Sequence, residues 1–204
     1  MFARLLPALL LAACLAVPAF AAGPQDKADI QEAEAYLNAV TSLKARFLQV
    51  SGTGGQAEGT AYLSRPGKMR LQYDPPSPLL VVADGSFLIV NDKTLDNPSY
   101  IPLGSTPAGV LVRPNVQLDG KDLRVIRVSH QPGVVAITVV SADDPAQGSL
   151  TLIFSERPFA LRQWRVLDAQ GQLTTVSLYD VQTGLPLDPK LFEFQNPNFA
   201  PPKL

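Results

Sequence analysis

Apolar and polar positions alternate along this chain with two different periods. From Asp26 to about Val40, apolar side chains fall at Ile30, Ala33, Leu37 and Val40. Steps of three and four describe one amphipathic helix. Thr41-Ser42 ends that pattern, and the period then drops to two. "LKARFLQVS", residues 43–51, places Ala45, Phe47 and Gln49 on one face and Lys44, Arg46, Leu48 and Val50 on the other, as on a pleated strand. Continuation of the helix to Phe47 is the competing reading of this stretch.

After a glycine-rich stretch, "SGTGGQAEG", strand follows strand. "TAYLSR" and "KMRLQY" flank Pro66-Gly67, which suits the central positions of a type II turn. "PLLVVA" and "SFLIVN" flank Asp84-Gly85, a strong hairpin signal. "LRVIRVSH" and "GVVAITVVS" flank Gln131-Pro132. "SLTLIFS", "LRQWRVLD" and "LTTVSLYDV" complete a meander. Short strands at this spacing predict a mainly β (α+β) fold built on an antiparallel sheet that curls toward a barrel. One segment breaks the rhythm. In "LGSTPAGVLVRPN", 103–115, Ser105-Thr106 precede Pro107, an N-cap and a proline at the first helical position. Ala108, Val110, Leu111 and Val112 then form a short apolar helix ended by Arg113-Pro114. The end, "FEFQNPNFAPPKL", predicts one more strand and a proline-rich tail. With no repeat and no low-complexity tract, the chain reads as one domain, residues 22–204, with its core at about 26–199.

The first 21 residues stand apart. "MFARLLPALLLAACLAVPAFA" carries Arg4, an apolar run and a small-x-small ending, the pattern of a secretory signal cleaved after Ala21. Pro7 and Pro18 interrupt the run, which argues against an anchored transmembrane helix. Leu11-Ala12-Ala13-Cys14 also resembles a lipobox, so acylation at Cys14 is the alternative. The eight apolar residues that follow Cys14 favour soluble export to the periplasm. Cleavage removes Arg4 and Cys14, leaving 16 basic against 18 acidic residues, one histidine and no cysteine. Such a chain relies on a core and hydrogen bonds in place of disulfides.

The inventory argues against an enzyme. His130 is the single histidine and falls at an expected hairpin tip. There is no G-x-S-x-G elbow and no set of zinc ligands. Asp143-Asp144-Pro145 reads as a solvated turn, and Gly52, Gly54, Gly55 and Gly59 lack the context of a phosphate loop. No cofactor or metal is expected, and without a basic run neither is nucleic acid. A geometric feature remains. In "LSRPGKMRLQYDPP", 63–76, the odd positions Leu63, Met69, Leu71 and Tyr73 form one apolar face, with Arg65 at its end. A dry core and an apolar cavity are both compatible with that face.

The elements resemble a known family. "LKARFLQV", "GTAYLSRPGKMRLQYDPPSPLLVVADGSFLIV", "STPAGVLVR" and "SLTLIFSERPFALRQWRVLDAQGQLTTVSLYDV", in this order behind the helix, look like the periplasmic outer-membrane lipoprotein carriers, LolA, in their alpha-proteobacterial form. The resemblance covers about residues 28–195. It implies a half-open antiparallel β-barrel with a helical lid over an apolar cavity for acyl chains. It further implies a monomeric carrier that takes lipoproteins from an inner-membrane ABC release complex to the outer-membrane receptor LolB. Arg65 matches an arginine that latches the lid by hydrogen bonds to its backbone. Phe47, Leu63, Met69, Leu71, Tyr73 and Trp164 are the expected cavity lining. Leu37, Val40, Val110, Leu111 and Val112 are the expected lid contacts. The departures are a single tryptophan, and Gly109, which costs about 1 kcal/mol against alanine inside a helix. The rivals are a LolB-like acceptor anchored at Cys14, a lipoprotein-binding stress sensor and a lipid hydrolase.

Overall fold

The computed structural model describes residues 22–95 and 97–196; the leader with Cys14, and residues 197–199 of the expected core, lie outside the described residues. The chain opens with helix α1, Pro24–Ala39. Six strands follow: β1 Ser42–Ser51, β2 Gln56–Ser64, β3 Lys68–Tyr73, β4 Leu79–Asp84, β5 Phe87–Asp92 and β6 Ser99–Pro102. A segment with two 3-10 turns, Leu103–Ser105 and Pro107–Val112, leads to five more: β7 Leu123–Gln131, β8 Val134–Ser141, β9 Gly148–Glu156, β10 Phe159–Asp168 and β11 Leu173–Thr183. All eleven form one antiparallel sheet in the order β6-β5-β4-β3-β2-β1-β11-β10-β9-β8-β7. Two meanders are thus joined where β1 pairs with β11. The edge strands β6 and β7 do not pair, so the sheet curls without closing.

Alternation decides which face of the curl is buried. Leu43, Ala45 and Phe47 of β1 are buried, and the register sets them beside Leu63, Ala61 and Gly59 of β2, which in turn meet Met69, Leu71 and Tyr73 of β3. Trp164 of β10 lies between Leu152 and Val176 on the same concave face. Register shifts in β1–β11, β9–β10 and β7–β8 add the local bends that curl a sheet. At the first of these Asp180 adopts φ 52, a left-handed conformation. Helix α1 and the segment 103–118 cross the concave face, and Ile30, Ala33, Leu37, Val110, Leu111, Val116 and Leu118 join the sheet in a single core.

Several expectations shift. The stretch from 42 to 51 is a strand, which resolves the helix alternative. Strand β2 begins at Gln56, so half of the glycine-rich stretch is sheet. Gly59 is there because of a close approach. A Cβ at this position would lie 2.2 Å from the Gln72 carbonyl oxygen and 2.7 Å from the Phe47 ring. That ring meets Tyr73 edge-to-face at 5.1 Å. The apolar helix after Thr106 is 3-10 and not α; Thr106 does cap it, its hydroxyl accepting from the Gly109 amide at 3.1 Å. Strand β6 went unseen in the sequence because it has four residues, all exposed. The expected last strand is absent among the described residues. Asp188 instead caps a 3-10 turn, Pro189–Phe192, which buries Phe192. Arg70 donates to the Leu191 carbonyl at 3.1 Å and holds this turn on the convex side.

The fit of Phe47 over Gly59 generates a prediction. Gly59→Ala should overpack the row and cost about 1–3 kcal/mol, seen as a lower urea midpoint. An unchanged midpoint would show that Phe47 has room to move.

Candidate functional site: a lid fastened over an apolar face

Strand β2 ends at Ser64, and Arg65 continues on the face of Leu63, toward the lid. Its Nε donates to the Leu111 carbonyl at 3.0 Å, and its Nη1 donates to the Leu37 carbonyl. One guanidinium therefore reaches both lid pieces, the last turn of α1 and the 3-10 turn Pro107–Val112. The backbone repeats this grip. The Arg65 amide donates to Thr41 O at 2.8 Å, and the Gly67 amide to Val112 O at 2.7 Å. Gly67 has φ 78, which suits glycine in the turn. Burial pushes the pKa of Arg65 down, yet a guanidinium stays charged under these conditions and presents its donors in a fixed fork. Its acceptors are natural ones, because the last carbonyls of a helix lack intrahelical partners and carry the negative end of its dipole.

The structure places every side chain of the expected lining on the concave face. Phe47, Met69, Leu71, Tyr73 and Trp164 are buried, and Leu63 is half-buried. They do not form one group. Phe47, Leu71, Tyr73 and Trp164 belong to the main core with Leu37, Val110 and Leu111, while Val40 packs against its border. Met69 and Val112 instead share a smaller cluster with Ala83 and Leu103, and Leu63 touches both clusters. Lid side chains pack directly against this concave face in the main core. Tyr73 and Gln49 bring polar groups to this face. The Tyr73 hydroxyl donates to Gln49 Oε1 at 2.6 Å, and burial pushes its pKa up to about 12.

Sequence reasoning missed a second set of fastenings. Asn38 donates to the Val116 carbonyl at 3.0 Å and accepts from the Val116 amide at 2.8 Å, while Glu34 accepts from the Leu118 amide at 2.6 Å. Glu34 and Asn38 are one turn apart, so this edge of α1 acts as a partner strand for 116–118 and welds the two lid pieces together. At the other end of the helix, Asp29 is buried and pairs with His130 of β7 at 2.6 Å. His130 is thus in a strand, one pair before the Pro132-Gly133 turn of the expected hairpin, with its ring turned to Asp29 on the concave side. A carboxylate on the stripe of Ile30, Ala33 and Leu37 was the available signal, since a buried charge needs a partner. Asp26, Asp29 and His130 bring three ligand-type atoms within 4.8 Å of one another. Those groups are already engaged: Asp26 accepts from the Gly23 amide at 2.9 Å, and Asp29 also accepts from Gln25 at 3.0 Å.

The hydrogen bond to Asp29 raises the pKa of His130 above its usual 6.5; burial opposes this, and Asp26 and Glu156 add to it. The stability from this pair is therefore fully present below pH 6.5 and is lost as pH rises through the raised value. The thermal midpoint of His130→Ala should fall furthest below wild type near pH 5.5, with the gap closing toward pH 9. A gap independent of pH would mean that the imidazole is held without charge. Separately, Asn38→Ala should strand both polar groups of the buried Val116 backbone, costing about 1–3 kcal/mol. Amide hydrogen exchange at Val116 should accelerate with it, and full protection there would place the weld elsewhere.

Residues 38–195 match the family model described as "Outer membrane lipoprotein carrier protein LolA". An outer-membrane lipoprotein carrier protein from Chromohalobacter salexigens is 31% identical over 202 residues, covering 95% of this chain and 94% of that protein. Another from Methylococcus capsulatus is 31% identical over 173 residues, 80% of this chain and 82% of that one. Among solved structures, a DUF1329 family protein from Desulfovibrio piger superposes with a TM-score of 0.50 at 11% identity, covering 81% of this chain and 95% of that one. That likeness concerns the fold alone. On the extent of the family match and these identities, the chain belongs to the LolA family of outer membrane lipoprotein carrier proteins.

Proposed function

We propose that this chain is a periplasmic carrier, not an enzyme, that shields the acyl chains of lipoproteins between the two membranes of the envelope. In this reading residues 1–21 direct export and are removed, and residues 22–204 act as one carrier domain. The inner-membrane ABC release complex loads it, and LolB or an equivalent acceptor unloads it. Among the described residues no helix is long and apolar enough to cross a membrane.

The observation that carries the reading is the position of Arg65. It is a charged latch joining both lid pieces to the end of β2, above an otherwise apolar face. Hydrogen bonds from a charged group contribute about 1.5–3 kcal/mol each. Each methylene removed from water contributes about 0.8 kcal/mol. About four to eight methylenes therefore offset the two bonds of the latch, and several acyl chains far exceed it. The latch is weak enough to open for cargo and strong enough to favour closure once cargo leaves. The acyl chains would replace the lid side chains against Phe47, Leu63, Met69, Leu71, Tyr73 and Trp164, while Leu37, Val40, Val110, Leu111 and Val112 move away with the lid.

Native mass spectrometry of residues 22–204, purified without detergent after co-expression with a triacylated lipoprotein, tests this. A one-to-one complex should form and should require the cargo's acyl groups. Arg65→Leu should form the same complex but hold it longer when acceptor is added, because closure no longer drives release. An apo mass in the presence of the release complex would defeat the carrier reading. Wild-type transfer by Arg65→Leu would remove the latch from it.

A further inference from the structure

A second apolar space stays open while the lid is shut. A cleft of about 410 Å³ runs between the lid segment and two sheet turns, with Pro66-Gly67 and Gly85-Ser86 on one wall and Leu103, Gly104 and Val110 on the other. This is within the range of small-ligand sites, roughly 300–1,000 Å³. Arg113 also lines the cleft and pairs with Asp122 at 3.5 Å, and two further polar wall groups are engaged. The Thr106 hydroxyl donates to Leu103 O at 3.0 Å and accepts from the Gly109 amide, and the Leu103 amide donates to Ser86 O at 2.9 Å. What the cleft offers a ligand is therefore mainly apolar contact and close backbone.

Its position is the informative feature. Val112 and Leu103 line the cleft and also form the small cluster with Met69 and Ala83. Leu63 links that cluster to the main core, so the cleft is continuous with the seam between lid and sheet. The bond that closes the seam here, Gly67 amide to Val112 carbonyl, joins two residues of the cleft wall. The preceding carbonyl, Leu111 O, is the one held by Arg65 Nε. Any chain that wedges between Gly67 and Val112 strains the backbone bond first and the latch next.

We propose that this cleft is the entry site for cargo: it takes a single acyl chain while the lid is still closed, and that chain levers Val112 off Gly67. The proposal rests on the carrier reading and adds a step to it. Loading proceeds by capture of one chain in the cleft, then release of Leu111 from Arg65, then transfer of the chains to the concave face. The occupant is a flexible hydrocarbon chain because the cleft is lined mainly by apolar and backbone groups and shares Leu103 and Val112 with the apolar cluster beneath it.

The test fills the cleft. Gly104 lies on its wall, a Cβ there would meet nothing within 4 Å, and its φ is not left-handed, so Gly104→Trp should fold normally. Ser86→Trp blocks the opposite wall from an exposed position and serves as the second variant. The probe is a synthetic triacylated lipopeptide, its association with residues 22–204 followed by stopped-flow fluorescence. Both variants should load about tenfold more slowly or worse, within the span over which on-rates vary among variants of one interface, and still reach the wild-type extent of loading. In an Arg65→Leu background, where the lid is already loose, the same tryptophans should slow loading little. Association within twofold of the parent for both variants would overturn the entry site. So would equal slowing with and without Arg65, which would place the block in the final binding space. A wild-type chain that binds no lipopeptide would instead bring down the carrier reading itself.

Discussion

Everything in the lid refers back to one side chain meeting two carbonyls. Arg65 stands at the end of β2, where the sheet's hydrogen-bonding ladder stops, and its fork bridges Leu37 O and Leu111 O across gaps of 28 and 46 residues. Neither carbonyl has a strong claim elsewhere, since each lies in the last turn of a helical element, α1 or the 3-10 turn Pro107–Val112. A lysine would carry the same charge but not the same geometry, because a point charge on a flexible stem does not span two fixed acceptors. The latch also needs Gly67 beside it, whose positive φ turns the backbone so that its own amide meets the neighbouring carbonyl of Val112.

Beneath the latch, the packing is that of an ordinary core with an unusual division of labour. The sheet supplies one wall from strict alternation, with small residues such as Gly59 and Ala61 making room for Phe47 and Tyr73. The lid supplies the other wall from α1 and the 103–118 segment, and it arrives as one body. Glu34 and Asn38 satisfy the Leu118 amide and both backbone groups of Val116 with side chains, so these buried groups have partners at the join. The helix is then pinned near both ends, by His130 at Asp29 and by Arg65 at Leu37. Those pins are polar and local, whereas the wall they hold is apolar and interchangeable with any other hydrocarbon. That asymmetry suits a protein family described as lipoprotein carriers.

The chain's own pattern determined a good deal. A period of two fixes which residues of a strand share a face, so the concave set from Phe47 to Trp164 and the alignment of Arg65 with Leu63 were legible without coordinates. Thr106-Pro107 marked a helical start, and Asp84-Gly85 and Pro66-Gly67 marked turns. Periodicity speaks within an element, and only tertiary structure decided what met across long separations. It placed Asp29 against His130, 101 residues away, and Arg65 on Leu111, 46 residues away. It put Met69 and Val112 in a cluster of their own. It also made the lid turn 3-10, put a 3-10 turn at Pro189–Phe192, and packed the lid side chains against the concave face. The physical reason is the same in each case. An apolar residue's pattern says that it will leave water but not what will cover it, and that choice falls to loop closure and to the few polar groups that must find partners.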